Sequence, residues 1–135
     1  MLSPKKTKHA KHHKIIPKGT SGRGDKVSFG SFGLKAMESK WITARQIEAA
    51  RRVVTRYIHR TGKMWIRIFP DVAITQKSGE VPMGKGKGSV DHYVVPVKKG
   101  RILFELEGVR DGVAKEALEL AAYKLPIKCK FIKKQ

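Results

Sequence analysis

Acidic residues are scarce in this chain: 11 Asp and Glu stand against 30 Lys and Arg, a formal net charge of +19 over 135 residues. So one-sided a balance excludes an ordinary mixed surface and calls for an anionic partner, nucleic acid before an anionic membrane. Cysteine is nearly absent. Cys129 stands alone, which excludes an internal disulfide and removes any need for an oxidising compartment. No apolar run is long enough to span a bilayer, and the first residues lack the apolar segment of a secretory signal. A soluble intracellular protein is the expectation. No His/Cys cluster has metal-ligand spacing, and neither a nucleophile elbow nor a carboxylate pair can be found. No enzyme activity, cofactor or metal is expected. The length suits one domain with a real core and not two.

What is present is organised around Trp41 to Arg60. Thr43 and Gln46 have the spacing of a capping box, Ile42 and Ile47 that of a hydrophobic staple. Thr61-Gly62 supplies a stop, with Gly62 free to take the left-handed conformation that ends helices. On a wheel of about 100° per residue, Ile47, Ala50, Val54, Tyr57 and Ile58 share one side. Arg45, Arg52, Arg56, His59 and Arg60 share the other, with only Glu48 near them. Like charges at this spacing weaken a helix, so one that carries them is expected to meet an anion. Phosphate is favoured because the guanidinium fork matches it.

Residues 1–26 read as a basic extended tail: Lys5, Lys6, Lys8, Lys11, Lys14, Lys18, Arg23 and Lys26 against Asp25 alone. With Ile15-Ile16 as its only apolar pair, this segment cannot offset its ordering entropy by burial. Extended, it reaches on the order of 80 Å, and it is suited to threading along phosphates. His9, His12 and His13 add cations to that field and do not suggest a metal. Residues 27–135 read as a single α+β domain, with a functional loop over 76–90 that is long for a connection. Its Met83, Gly84, Lys85, Gly86, Lys87 and Gly88 can present backbone N–H groups and two ammonium groups to one anion. Gly79 through Lys85 mimics a nucleotide-binding P-loop, but Gly86 replaces the required Ser or Thr and a strand follows where a helix must.

Further strands are expected over Val27–Met37, Lys63–Phe69, Val72–Thr75, His92–Val97, Arg101–Glu107 and Ile127–Ile132. Lys98-Lys99-Gly100 reads as a hairpin turn. Met64, Ile66 and Ile68 should face one way and Trp65 and Arg67 the other; Ile102, Phe104 and Leu106 should form one face. Phe29 and Phe32 are assigned to the core in preference to base stacking, since so small a core cannot spare both. A second helix is expected over Asp111–Lys124, with Asp111 as N-cap and Val113, Ala117, Leu120 and Ala121 as its packing stripe. Between Ile102 and Leu125 the acids Glu105, Glu107, Asp111, Glu116 and Glu119 outnumber the bases, so this part is expected to face away from phosphate or towards a basic partner. Cys129 reads as an inert thiol.

Met-Leu-Ser-Pro-Lys at 1–5, Phe-Gly-Ser-Phe-Gly-Leu-Lys-Ala at 29–36, Thr-Ala-Arg-Gln-Ile-Glu-Ala-Ala-Arg-Arg at 43–52, Trp-Ile-Arg-Ile-Phe-Pro-Asp at 65–71, Met-Gly-Lys-Gly-Lys-Gly at 83–88 and Lys-Leu-Pro-Ile-Lys at 124–128 resemble the bacterial-type large-subunit ribosomal protein L-sixteen family. The match runs in order over essentially the whole chain. The resemblance implies an α+β fold, two helices on a mixed, partly barrel-like sheet. It also implies a structural, non-enzymatic component of the large subunit, bound to its rRNA beside the peptidyl-transferase centre and joining late in assembly. A-site tRNA, P-site tRNA as a further partner, and neighbouring ribosomal proteins would surround it. Carried over by position, Met83 to Gly88 would point toward the tRNA acceptor region. Arg45, Arg51, Arg52, Arg56 and Arg60 would face rRNA, and the tail from Lys5 through Arg23 would thread between rRNA helices. Some relatives carry a hydroxylated arginine just before the Met-Gly; Pro82 stands here, so that modification is not expected. Because the match begins at Met1, no cleaved targeting extension is expected. A bacterial cytoplasm follows, although a protein made inside a plastid or mitochondrion would look the same. A nucleic-acid-coating protein would need no defined Gly-Lys loop. A membrane-surface protein would need an exposed apolar helix face.

Overall fold

A computed structural model describes residues 2–3, 19–59, 61–76 and 89–135 of the chain. In chain order it contains β1 (Phe32–Ala36), β2 (Lys40–Thr43), α1 (Ala44–Ile58), β3 (Lys63–Ile66), β4 (Val72–Gln76), β5 (Ser89–Val97), β6 (Ile102–Glu107), α2 (Asp111–Ala122) and β7 (Cys129–Lys133). The expected α+β architecture with two helices is present. Its strands form two antiparallel sheets, in the orders β3-β6-β1-β7 and β2-β5-β4, not closed into a barrel.

The start of α1 is as its residues dictate. Thr43 is the extended N-cap; its hydroxyl accepts from the Gln46 N–H at 3.2 Å, and the Gln46 carboxamide accepts from the Thr43 N–H at 2.9 Å. Ile42 and Ile47 on either side of the cap are both fully buried. The end differs from expectation. The left-handed residue that stops α1 is His59, at φ 50, a conformation His tolerates better than most side chains. Gly62 is also left-handed, but for space: a Cβ there would collide with the Glu107 carbonyl, and one on Gly108 would lie 2.9 Å from Gly62 Cα. The turns after α1 and after β6 cross at these two glycines.

The Lys98-Lys99-Gly100 turn is not a hairpin. It carries the chain from one sheet to the other, because β5 has both edges filled by β2 and β4 while β6 lies between β3 and β1. The Arg101 N–H closes the turn on the Lys98 carbonyl at 3.2 Å, and the Ser21 N–H bonds the Lys99 carbonyl at 2.8 Å. As a central strand, β6 is buried on both faces from Ile102 to Leu106. Its register against β1 shifts between Leu34↔Phe104 and Lys35↔Ile102, so Leu103 is an extra residue. The bulge overturns the expected face. Leu103, Phe104 and Leu106 join the core beneath the helices, whereas Ile102 turns to the Gly33 side.

That second face of the four-stranded sheet is covered by residues 24–31, and Glu105 holds the cover down. Its side chain is fully buried. One carboxylate oxygen accepts the N–H groups of Ser28 (3.0 Å), Phe29 (2.7 Å) and Gly30 (2.8 Å), and the other accepts from Arg67. Gly30 is required here, since a Cβ would stand 2.5 Å from the Leu106 carbonyl. Glu105 therefore does not belong to an acidic surface, as expected, but is an internal ligand for backbone. Burial pushes its carboxyl up, yet the Gly30 N–H, Arg67 and the other two N–H groups outweigh it, and the net position is below the usual carboxylate range. Phe32 is core as expected, but Phe29, lifted onto this cover, is 56% exposed.

The helix α2 also departs in detail. Its N-cap is Arg110, without a side-chain cap, and Asp111 is the first helical residue, paired with Lys133 at 2.6 Å. The buried stripe is Ala114, Ala117, Leu118 and Ala121, because α1 packs on one side of the helix and β1 and β7 on the other. Leu120 is left 41% exposed, beside Tyr57 and Val113 in a shallow groove.

Two substitutions test this frame. Glu105→Ala leaves Arg67 and three N–H groups without their acceptor and should lower the unfolding free energy by about 3–5 kcal/mol. The depressed carboxyl contributes stability above its unfolded value, about pH 4.3, and loses it as pH falls further. Denaturant titrations at neutral and acid pH should therefore show a shallower acid loss in the variant than in the parent; equal slopes refute the assignment. Thr43→Ala should cost about 1 kcal/mol in the same assay.

Candidate nucleic-acid interface

The exposed side of α1 carries Arg45, Arg52 and Arg56, which lie within about 40° of one another on a helical wheel. The opposite side is anchored by Ala44, Ile47, Ala50, Val54 and Ile58, all buried. The core thus fixes which way the guanidinium groups point. No acid occupies the first turn of the helix, and Arg45 stands there against the favourable sense of the dipole. Arg56 in the last turn is favourably placed.

Arg51 does not join this stripe. It is half-buried at its flank, and its Nε bonds Glu48 Oε2 at 3.0 Å. Glu48 also takes Arg52 Nε at 3.3 Å. The hydrogen bond from Arg51 is the main cause that lowers the Glu48 carboxyl to about 2, so it stays ionised and offsets part of the stripe. Arg45 and Arg56 lie outside these Glu48 contacts. Of the other residues expected in the interface, Arg23 is exposed at the mouth of a cleft of about 730 Å³ between the two sheets, which Arg67, Lys98 and Arg101 also line. Lys5, Lys6, Lys8, Lys11, Lys14, Lys18, Arg60 and the loop Met83, Gly84, Lys85, Gly86, Lys87 and Gly88 lie outside the described residues. The strands that lead to that loop are described: β4 and β5 pair as far as Gln76↔Ser89.

Sequence reasoning passed over a second basic surface. Lys63, Trp65 and Arg67 alternate at the edge strand of the four-stranded sheet, and the period of two puts all three on one face. Their spacing was the signal. Lys26 and Lys134 adjoin them: the Lys26 carbonyl accepts from Arg67 at 3.5 Å, and Lys134 Nζ bonds the Ser28 carbonyl at 3.4 Å. Elsewhere Cys129 is half-buried, and burial followed by the nearby Glu38 pushes its thiol up to about 12, which keeps it unreactive. Among the described residues, no group of three His, Cys, Asp or Glu side chains could hold a metal.

A family model described as ribosomal protein L16p/L10e matches residues 4–132. The chain belongs to this family. Among curated L16p/L10e relatives, the large ribosomal subunit protein uL16 of Parabacteroides distasonis is 58% identical, over 98% of this chain and 92% of its own. The protein of the same name from Azobacteroides pseudotrichonymphae is 61% identical over the same shares. The uL16c protein of Phaeodactylum tricornutum is 57% identical over 98% and 96%. The L16p/L10e family is a structural, non-enzymatic component of the ribosome, which agrees with the absence of a catalytic constellation in the sequence.

For an L16p/L10e protein with this stripe, the weight of each charge can be read from salt dependence. Reversing Arg52 and Arg56 to Glu should weaken binding to large-subunit rRNA and flatten the log–log salt slope by roughly 0.7 to 0.9 per lost contact. An unchanged slope would mean that this face does not meet phosphate. Glu48→Gln should do the opposite, tightening binding at low salt by releasing Arg51 and Arg52.

Proposed function

We propose that the chain is a structural constituent of the large ribosomal subunit that binds its rRNA through the arginine stripe of α1 and the basic N-terminal residues. The reading is carried by one observation: a family match over nearly the whole chain coincides with a single-signed stripe whose direction the core of α1 fixes. In this reading Arg45, Arg52, Arg56 and Arg60 face rRNA, with Arg51 at their flank in its pair with Glu48, and Lys5 through Arg23 thread between its helices beside the peptidyl-transferase centre. Residues 1–26 act as a tail and 27–135 as the RNA-binding domain. Met83 to Gly88 approach A-site tRNA, and P-site tRNA as a further partner, from a segment whose two ends are held by the paired strands β4 and β5. The protein joins late in subunit assembly, in a bacterial-type ribosome.

Sedimentation of a gently prepared lysate should recover the chain in stoichiometric amount with the large subunit after a moderate salt wash. A spread over all nucleic acid, washed off by salt, would support a coating protein instead. Lys85→Glu with Lys87→Glu should slow tRNA accommodation more than subunit assembly, and normal peptide-bond kinetics in ribosomes carrying that variant would refute the tRNA role.

A further inference from the structure

Phe29 is a large aromatic side chain left more than half exposed; Phe69, Leu120 and Tyr123 are also exposed among the described residues. Phe29 is not loose. Its backbone N–H is fixed on the buried Glu105 carboxylate at 2.7 Å, with those of Ser28 and Gly30 on either side. Its ring stacks on the half-buried Trp65, centroids 6.0 Å apart and planes 23° from parallel. Arg67 sets its guanidinium 4.9 Å from the same ring. Trp65 and Arg67 stand two residues apart on one face of the edge strand, so both support the ring from the sheet side. With both partners on that side, the exposure of the residue is assigned to the outer face of its ring.

We propose that this outer face of Phe29 receives an unpaired RNA base, making the Phe29–Trp65 pair a stacking platform separate from the arginine stripe. The proposal rests on the RNA-binding reading above and adds to it the kind of nucleotide recognised. Duplex RNA offers no free base face, whereas unpaired nucleotides are taken up on aromatic side chains and on guanidinium planes. The frame suits such a ligand. Lys63 sets its ammonium 5.1 Å from the Trp65 ring, and Lys26 and Lys134 flank the segment that carries Phe29. Arg67 is matched by Glu105, which leaves Lys26, Lys63 and Lys134 for flanking phosphates. Against them stand Asp25 and Glu107, the latter the cross-strand neighbour of Lys63. A platform held by backbone bonds is rigid before the ligand arrives, so little ordering entropy is lost when a base stacks.

The test uses the full chain and two labelled probes, an oligo(A) RNA of about eight nucleotides and an RNA duplex of about sixteen base pairs, with affinity read by fluorescence anisotropy at low salt. Phe29→Ala should weaken binding of oligo(A) by about 5- to 150-fold and leave the duplex affinity within about twofold, since its phosphates meet the stripe. Phe29→Tyr should retain the affinity of the parent. Phe29→Leu keeps apolar bulk without a π face and should behave as Phe29→Ala. Because apolar bulk without a π face would then suffice, a Leu variant equal to the parent would overturn the proposal. So would an equal loss for both probes. Duplex binding intact with oligo(A) affinity indifferent to Phe29 removes the platform alone. A parent chain that binds neither probe removes the RNA-binding reading with it.

Discussion

The buried carboxylate of Glu105 is the interaction on which this arrangement depends. A lone ion in a closed interior is costly, and this one is kept by four donors from two parts of the chain. Three are backbone N–H groups of residues 28–30 that no strand ladder would satisfy, so the acid meets a backbone need as much as the backbone meets its own. The fourth, Arg67, ties the edge strand into the same knot. Without it the outer face of the four-stranded sheet would lose its cover, exposing Ile102 and Gly33. The apolar core and the basic outer surface are thereby coupled through one side chain in the middle of β6.

Charge in this protein is divided between surface and structure. Arg67, Arg51 and Lys133 have acidic partners and serve partly to hold the fold. Arg45 and Arg56 project from a helix whose apolar side is locked by Ile47, Ala50 and Val54. A formal charge of +19 therefore overstates what is presented to an anionic partner, and its direction matters more than its sum. Glu48 lies where the two uses meet, drawing Arg51 and Arg52 toward the helix and setting how sharply the stripe ends.

What was legible in the residues is what local rules decide. The capping box at Thr43, the staple of Ile42 and Ile47, and the alternation from Met64 to Arg67 each need only a few neighbours, and each stands as read. The family was legible too, from motifs spread along the chain. The errors share a different cause. Lys98-Lys99-Gly100 has the chemistry of a hairpin turn, yet whether two strands pair depends on which edges are already filled, and that is fixed by segments far away. Glu105 occupies a solvent-like position in an alternating strand, and nothing nearby announces the cover that buries it. Leu120 and Leu118 are equally good apolar positions until α1 and the sheet choose between them. Phe29 was assigned to the core and not to base stacking because so small a core could not spare both it and Phe32; its exposure follows from Glu105, seventy-six residues on.

The pairing of β1 with β7 has a consequence for biosynthesis. Phe32 aligns with Lys133 and Ala36 with Cys129, so one edge of the main sheet is completed by a strand made about a hundred residues later. Until that strand emerges, β1 lacks a neighbour on one side and offers unpaired backbone groups to any strand it meets. Contacts so distant in sequence close slowly, and partly built sheets are the species that aggregate. The native sheet becomes reachable only once that strand has been made, and the interval before that is when the chain most needs either a chaperone or its own strong self-repulsion to keep copies apart.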